Sequence, residues 1–294
     1  MYQSMYTIIL MITIMSIIIV LLTSRKNPLY AFHVLWDNRK DKKLWFHFLL
    51  LGCILLINKL ELLIEKSFIH AMDKSVFFMK YEGDLLAFFQ DSLKSTWLTE
   101  LTTFFYIIIF VALIVSSFVI YFTQADKKLF YMFIYAIGLN YLIAIPFYLF
   151  FPINEVWYVH SQVHFLIPEV YPAFESQYRH LSGLNNCFPS LHNSISLTLL
   201  LLSYKSSNKL FKSIMTVSVA IIMFSTIYLG IHWFTDQAAG IVLAIFAVTL
   251  AQLISKFVEQ PAKAQKNLVL FPTYLKKKTL SSEVKRYKNL NQPR

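Results

Sequence analysis

Seven stretches of this chain are apolar over lengths that approach or reach a bilayer's thickness, and no other feature limits its fold as strongly. They run at about Met5–Leu22, Leu44–Ile64, Leu101–Phe122, Leu129–Phe151, Leu191–Tyr204, Phe211–Ile231 and Ala238–Phe257. A helix needs about 20 apolar residues to cross the hydrocarbon core. Within lipid every backbone polar group must be satisfied inside its own segment, so blocks of this length read as helices. The expected fold is all-α, a polytopic membrane bundle of about six to seven transmembrane helices. The fifth block is short, and its upper boundary is soft. Composition agrees: 57% of residues are hydrophobic and only 15% charged, against about 25% charged in a soluble domain.

The formal net charge is +11. In a soluble chain that would raise nucleic-acid binding. Here the basic residues sit between apolar blocks, so membrane lipids are the expected partner and nucleic acid is not. With the N-terminus placed outside, only Lys59, Lys66, Lys74, Lys80, Lys94 and Arg179 of the 27 lysines and arginines fall on the outer side. That bias predicts a multi-pass cell-membrane protein, N-terminus outside and C-terminus cytoplasmic. The first block has no basic stretch before it and no small-residue cleavage site after it. It reads as a retained helix rather than a signal peptide. Three regions follow from the pattern: residues 1–100, N-terminal membrane helices with an outer interfacial helix; 101–258, a membrane catalytic domain; and 259–294, a basic tail carrying Lys276, Lys277, Lys278, Lys285 and Arg286 against anionic headgroups.

Two outer segments stand out. Glu65–Glu100 is apolar but broken by charges, which predicts an amphipathic helix at the interface. Pro152–Pro189 is rich in aromatics, prolines and histidines, and is long for a plain connector. The cysteines, Cys53 and Cys187, fall in an apolar block and a loop, which gives neither a disulfide framework nor a zinc spacing.

The residue types that carry chemistry sit near two outer helix ends. His232 and Asp236 are four apart, one turn on a common helix face, with Ser225 two turns before His232. An aspartate so placed accepts the proton of one ring nitrogen and leaves the other free to attack. The same pair would also suit a helix end at the water interface. His192 follows Pro189 and Ser190 at the start of an apolar run, where helix N–H groups make a natural phosphate site. The 40 residues between the two histidines correspond to one pass through the membrane and back. That would bring both rings to one face, one to attack phosphorus and one to protonate the leaving oxygen.

P-S-L-H at 189–192 resembles the P-S-G-H motif of the type 2 phosphatidic acid phosphatase (PAP2) superfamily. S-T-x5-H-x3-D at 225–236 resembles that superfamily's S-R-x5-H-x3-D, with every spacing kept. The form F-P-S-L-H is most similar to the branch containing inositol phosphorylceramide synthases and related lipid phosphotransferases. The resemblance extends over roughly Ile137–Phe257. It implies a PAP2-like core that cleaves a lipid phosphoester at the outer face through a phosphohistidine. His232 would be the nucleophile, Asp236 its orienter and His192 the acid and base. Ser190 and nearby N–H groups, with Ser225, would contact phosphate. No metal or cofactor is implied, and the substrate would be a phospholipid or isoprenoid phosphate.

The chain departs from the pattern in two places. Thr226 stands where the superfamily has arginine, and the first motif, K-x6-R-P, has no counterpart at Ile145–Val159. A phosphate dianion needs positive charge or many donors. Arg179, the one basic residue in the second outer loop, is therefore a candidate phosphate ligand. The alternative to an enzyme is a catalytically inactive PAP2-like protein that binds or transports lipid. His160 and His164 lack a third metal ligand, and Cys187 lacks the arginine of a cysteine phosphatase. Lys59 and Glu61 read as snorkelling or paired at the interface. Asn58 and Asn140 read as helix–helix hydrogen bonders.

Overall fold

A computed structural model of the chain describes residues 4–24, 27–68, 74–179 and 183–259. Arg25, Lys26, His180 and the basic tail after Glu259 lie outside the described residues. Residues 1–252 form one compact unit, and residues 253–294 a second, whose described part is the end of the last helix.

The described chain is helical, with a single isolated β-bridge. Helix α1 spans Met5–Ser24, α2 Tyr30–Asp37, α3 Lys42–Phe68 and α4 Ser75–Leu93. Helix α5 covers Thr96–Phe122, with a π turn at Phe105–Ile109. Helix α6 spans Lys128–Phe150, α7 Leu191–Ser203, α8 Lys209–Tyr228 and α9 Phe234–Glu259. Among the described residues six helices are long and apolar enough to cross a membrane: α1, α3, α5, α6, α8 and α9. Helix α7, the short fifth block, has 13 residues. At 1.5 Å per residue it covers about 20 Å of a core about 30 Å thick. It packs nonetheless among α5, α6 and α8.

Caps mark where these helices begin. Ser190 is the N-cap of α7, its Oγ accepting from Asn193 N at 3.4 Å. Asn208 caps α8 by accepting from Phe211 N at 3.0 Å. Between spans, polar side chains join helices where lipid offers no partner. Asn140 on α6 donates to Thr198 Oγ1 on α7 at 3.0 Å and accepts from Ser194 Oγ, as the sequence predicts. Glu61 does not follow its expectation. It is buried to 2% exposure, and neither carboxylate oxygen has a hydrogen-bond partner. Lys59 is exposed.

The bundle has two distinct ends. One holds the start of α1, the end of α6 with its following loop, the start of α7 and the turn between α8 and α9. Met5 N donates to Gln177 Oε1 of that loop at 2.7 Å. At the other end Asn208 donates to Thr23 O at 2.6 Å, and His47 bonds the Tyr135 hydroxyl at 2.7 Å. The basic residues Lys42, Lys43, Lys127, Lys128, Lys205, Lys209 and Lys212 belong to helix ends on this second side.

The segment Glu65–Glu100, expected to hold an amphipathic helix, contains α4, whose exposed side carries Phe77, Leu85 and Phe88. The helix buries Phe78, Leu86, Ala87 and Gln90 against the loop that follows α6 and the α8–α9 turn. Gln90 acts as a clasp: Nε2 donates to His164 O at 2.8 Å and Tyr228 O at 2.9 Å, and Oε1 accepts from His164 N at 2.7 Å. The clasp closes over Gly230, whose φ of 78° suits glycine. A Cβ there would lie 2.6 Å from His164 O, a backbone atom that cannot swing away. Gly230→Ala should cost at least about 1–2 kcal/mol for the backbone conformation alone. The expected result is a lowered melting temperature in detergent.

Candidate active site

The turn at Gly230 decides how His232 meets Asp236. Helix α8 ends at Tyr228, residues 231–233 are non-helical, and α9 starts at Phe234. The two residues therefore do not share a helix face, which corrects the expectation. His232 lies on the incoming chain and Asp236 in the first turn of α9. They still meet: His232 Nδ1 is 3.4 Å from Asp236 Oδ2, and that oxygen also accepts from Trp233 N at 3.0 Å. A carboxylate in a first helical turn is favoured by the helix dipole. Glu82 of α4 adds a second, accepting from Thr235 N at 3.2 Å and from its hydroxyl. With Nδ1 committed to Asp236, Nε2 is the ring nitrogen of His232 left for other partners.

His192 reaches the same place from α7. The two rings are 6.4 Å apart between centroids, inclined at 54°. His192 stacks on Tyr106 at 4.1 Å and packs against Phe110 at 4.4 Å. Tyr106 belongs to the π turn of α5 and Phe110 follows it directly. Such turns recur at functional sites because the extra residue re-aims its neighbours. The Nε2 atom of His192 is buried and has no protein partner. Helices α7 and α9 are joined at their N-termini, Ser190 N donating to Asp236 O at 3.1 Å. Gly240 permits this approach, since a Cβ there would lie 2.7 Å from Ser190 O.

Both histidines line a cavity of about 200 Å³, the volume of roughly half a dozen waters. Its walls include Asn58 of α3, Tyr106, Tyr148, Tyr178, Asn186 and Glu155. Three strands of loop hold this wall. Ile153 N donates to Asn185 O and Glu155 N to Leu184 O, both at 2.9 Å. Val156 N donates to Ile231 O at 3.2 Å and Trp157 N to Gly230 O at 3.0 Å. Glu155 and His232 are thereby fixed to one another through main chain. Tyr178 is pushed up to about 12 by burial and stays a neutral phenol.

The other sequence candidates are placed differently. Ser190 is buried and spends its Oγ on the α7 cap. Ser225 is buried on α8 and donates to Ile221 O at 2.6 Å; it is not among the cavity walls. Thr226 bonds Asn193 at 3.4 Å. Arg179 does not line the cavity either. Its Nη1 donates to Glu155 Oε1 at 2.6 Å, and Nη2 to Glu175 Oε1 at 2.9 Å. Burial works against its charge, but the bonds to Glu175 and Glu155 outweigh that and hold it protonated. His160 bonds Asp84 at 3.3 Å. Ligand atoms of Cys187, His232 and Asp236 lie within 4.8 Å of one another, a three-donor set that could hold a cation. A cation there would compete with the His232–Asp236 bond, so the two uses exclude each other.

Residues 67–250 match the PAP2 superfamily, and the chain belongs to it. The match begins well before Ile137 and takes in α4. Neither a search of curated proteins nor one of solved structures gave a match. Membership makes this a multi-pass membrane protein of a phosphatase-type lipid-phosphate family.

Sequence reasoning missed Glu155, Tyr106 and Gln90. Glu155 was hidden in a loop with no motif, and Tyr106 inside an apolar span. Removing Arg179 would leave the buried Glu155 charge uncompensated. Arg179→Ala is expected to cost about 3–5 kcal/mol of stability, read as a loss of melting temperature; a pure phosphate ligand would lose activity without that drop.

Proposed function

We propose that this chain cleaves a lipid phosphoester through a phosphohistidine on His232. The observation that carries this is the convergence of His192 and His232 on one cavity, with Asp236 on His232 Nδ1. His232 Nε2 attacks phosphorus, and the bond to the leaving alcohol breaks. His192, protonated once the phosphate anion lies against it, gives its proton to the departing oxygen. Water or a second hydroxyl then loses a proton to His192 and attacks phosphorus, and the N–P bond breaks. Backbone N–H groups at the start of α7 and the neutral phenols and amides of the walls are the phosphate donors in this reading. The F-P-S-L-H variant favours transfer to a lipid or sugar hydroxyl over hydrolysis.

A second reading, a lipid-binding protein without turnover, draws on the placement of Arg179 away from the cavity. One experiment separates the two. The full chain is supplied with phosphorus-labelled phosphatidic acid, phosphatidylglycerol and an isoprenyl diphosphate. Wild type is expected to turn over at least one and to carry acid-labile label on protein. His232→Ala should lose both. Turnover untouched by the substitution would end the catalytic reading, and binding without turnover would favour the second.

The site would open on the outer face. The start of α1 lies at the catalytic end, and the basic helix ends lie opposite. Ser176, exposed in the outer loop, and Ser207, exposed between α7 and α8, test this. Ser176→Cys should react with an impermeant thiol reagent in intact cells, and Ser207→Cys only after permeabilisation. The reverse pattern would invert the topology.

A further inference from the structure

The cavity has an acidic wall and no basic one. Among the described residues no lysine or arginine lines it, and Glu155 is its one carboxylate. Glu155 is 4% exposed. Its Oε1 accepts from Arg179, and its Oε2 accepts from Trp157 Nε1. The guanidinium lies behind, 5.0 Å from the ring centroid of Phe165 and 5.1 Å from that of Phe174. The ion pair therefore turns its negative end toward the histidines. Burial pushes the Glu155 carboxyl up, and Arg179 opposes this most strongly. A second carboxyl stands close by: Glu61 is one turn from the wall residue Asn58 on α3, with both oxygens unpartnered.

The geometry points to Glu155 as the residue that sets substrate class: the site takes phosphodiester lipids and turns away phosphomonoesters. This rests on the catalytic reading above. A monoester near neutral pH brings close to two negative charges, a diester one. What the cavity sets against them is the proton carried by His192, neutral phenols and amides, and the start of α7, worth about half an elementary charge. Together these match one negative charge, but not two beside a carboxylate in a low-dielectric site. Glu155 can also accept from a hydroxyl or ammonium group of the lipid's polar head, which a bare phosphate does not offer. With a diester, forming the His232 Nε2–P bond expels one alcohol, which leaves with the proton of His192. The phosphohistidine keeps the other alcohol as an ester. The second hydroxyl then receives that esterified phosphoryl group, so the product is a new diester rather than free phosphate.

The test uses the full chain in nanodiscs, with dioleoyl phosphatidylglycerol as diester and dioleoyl phosphatidic acid as monoester. Wild type is expected to favour the diester in kcat/KM by about tenfold or more. E155Q should narrow that ratio by about fivefold or more, chiefly through gain on phosphatidic acid. Glu155→Asp keeps the charge and should keep the preference. If E155Q does not fold, the E155Q/R179Q variant, which leaves no unpaired buried cation, reads the same ratio. A wild type that prefers phosphatidic acid, or a ratio unmoved by E155Q, overturns the proposal. So does Glu155→Asp relaxing selectivity as much as E155Q. Binding of both lipids to His232→Ala separates this from the catalytic reading. Diester-selective binding lost on adding E155Q supports the proposal even if no turnover is found. Equal binding of the two lipids overturns it.

Discussion

The main-chain carbonyl of Asp236 accepts from Ser190 N, and its side chain accepts from Trp233 N and meets His232 Nδ1. Three chain segments are tied at this residue: the start of α7, the turn leaving α8, and the first turn of α9. Its carboxylate is wholly buried and keeps Oδ1 without a protein partner. A buried carboxylate is costly unless hydrogen-bonded or paired. Here it is held by a helix start, where the dipole favours negative charge, and by the imidazole it orients. The group that sets the tautomer of His232 is also the one that fixes α9 to the site.

Around that point the loop between α6 and α7 is knit rather than draped. Residues 153–157 run between 184–187 and 230–231, with main-chain bonds to both sides. Gln90 closes the far side from α4. Loop backbone at this level must satisfy its own polar groups where water is scarce, and these bonds do so. They also carry Glu155 into the cavity wall and Arg179 behind it. The pair explains how the loop can keep an arginine without offering it to the cavity.

Much of the fold was legible because a bilayer asks a simple question of a sequence. Apolar length alone marked the helices of membrane length and the short α7, whose 13 residues the structure keeps in the bundle. Asn140 could be placed as an interhelical bonder because lipid gives it no other partner. Glu61 could not. Its exposure depends on which way α3 faces, and a run of leucines and isoleucines has no strong face to read. The helix-face account of His232 and Asp236 failed for a local reason. Gly230 takes a positive φ and ends α8 before the histidine, and the i, i+4 spacing holds equally well across a helix start.

The sequence by itself determined the membrane class, the apolar segments that become helices and the motif that holds His192, His232 and Asp236. Those follow from composition and spacing, which are one-dimensional. Tertiary structure decided what surrounds them: that Tyr106 stacks on His192, that Ser225 turns back into its own helix, and that Glu155 rather than Arg179 faces the histidines. The physical reason is that a cavity wall is made by residues distant in the chain. Which end of a buried ion pair faces inward depends on the loop bonds that hold it.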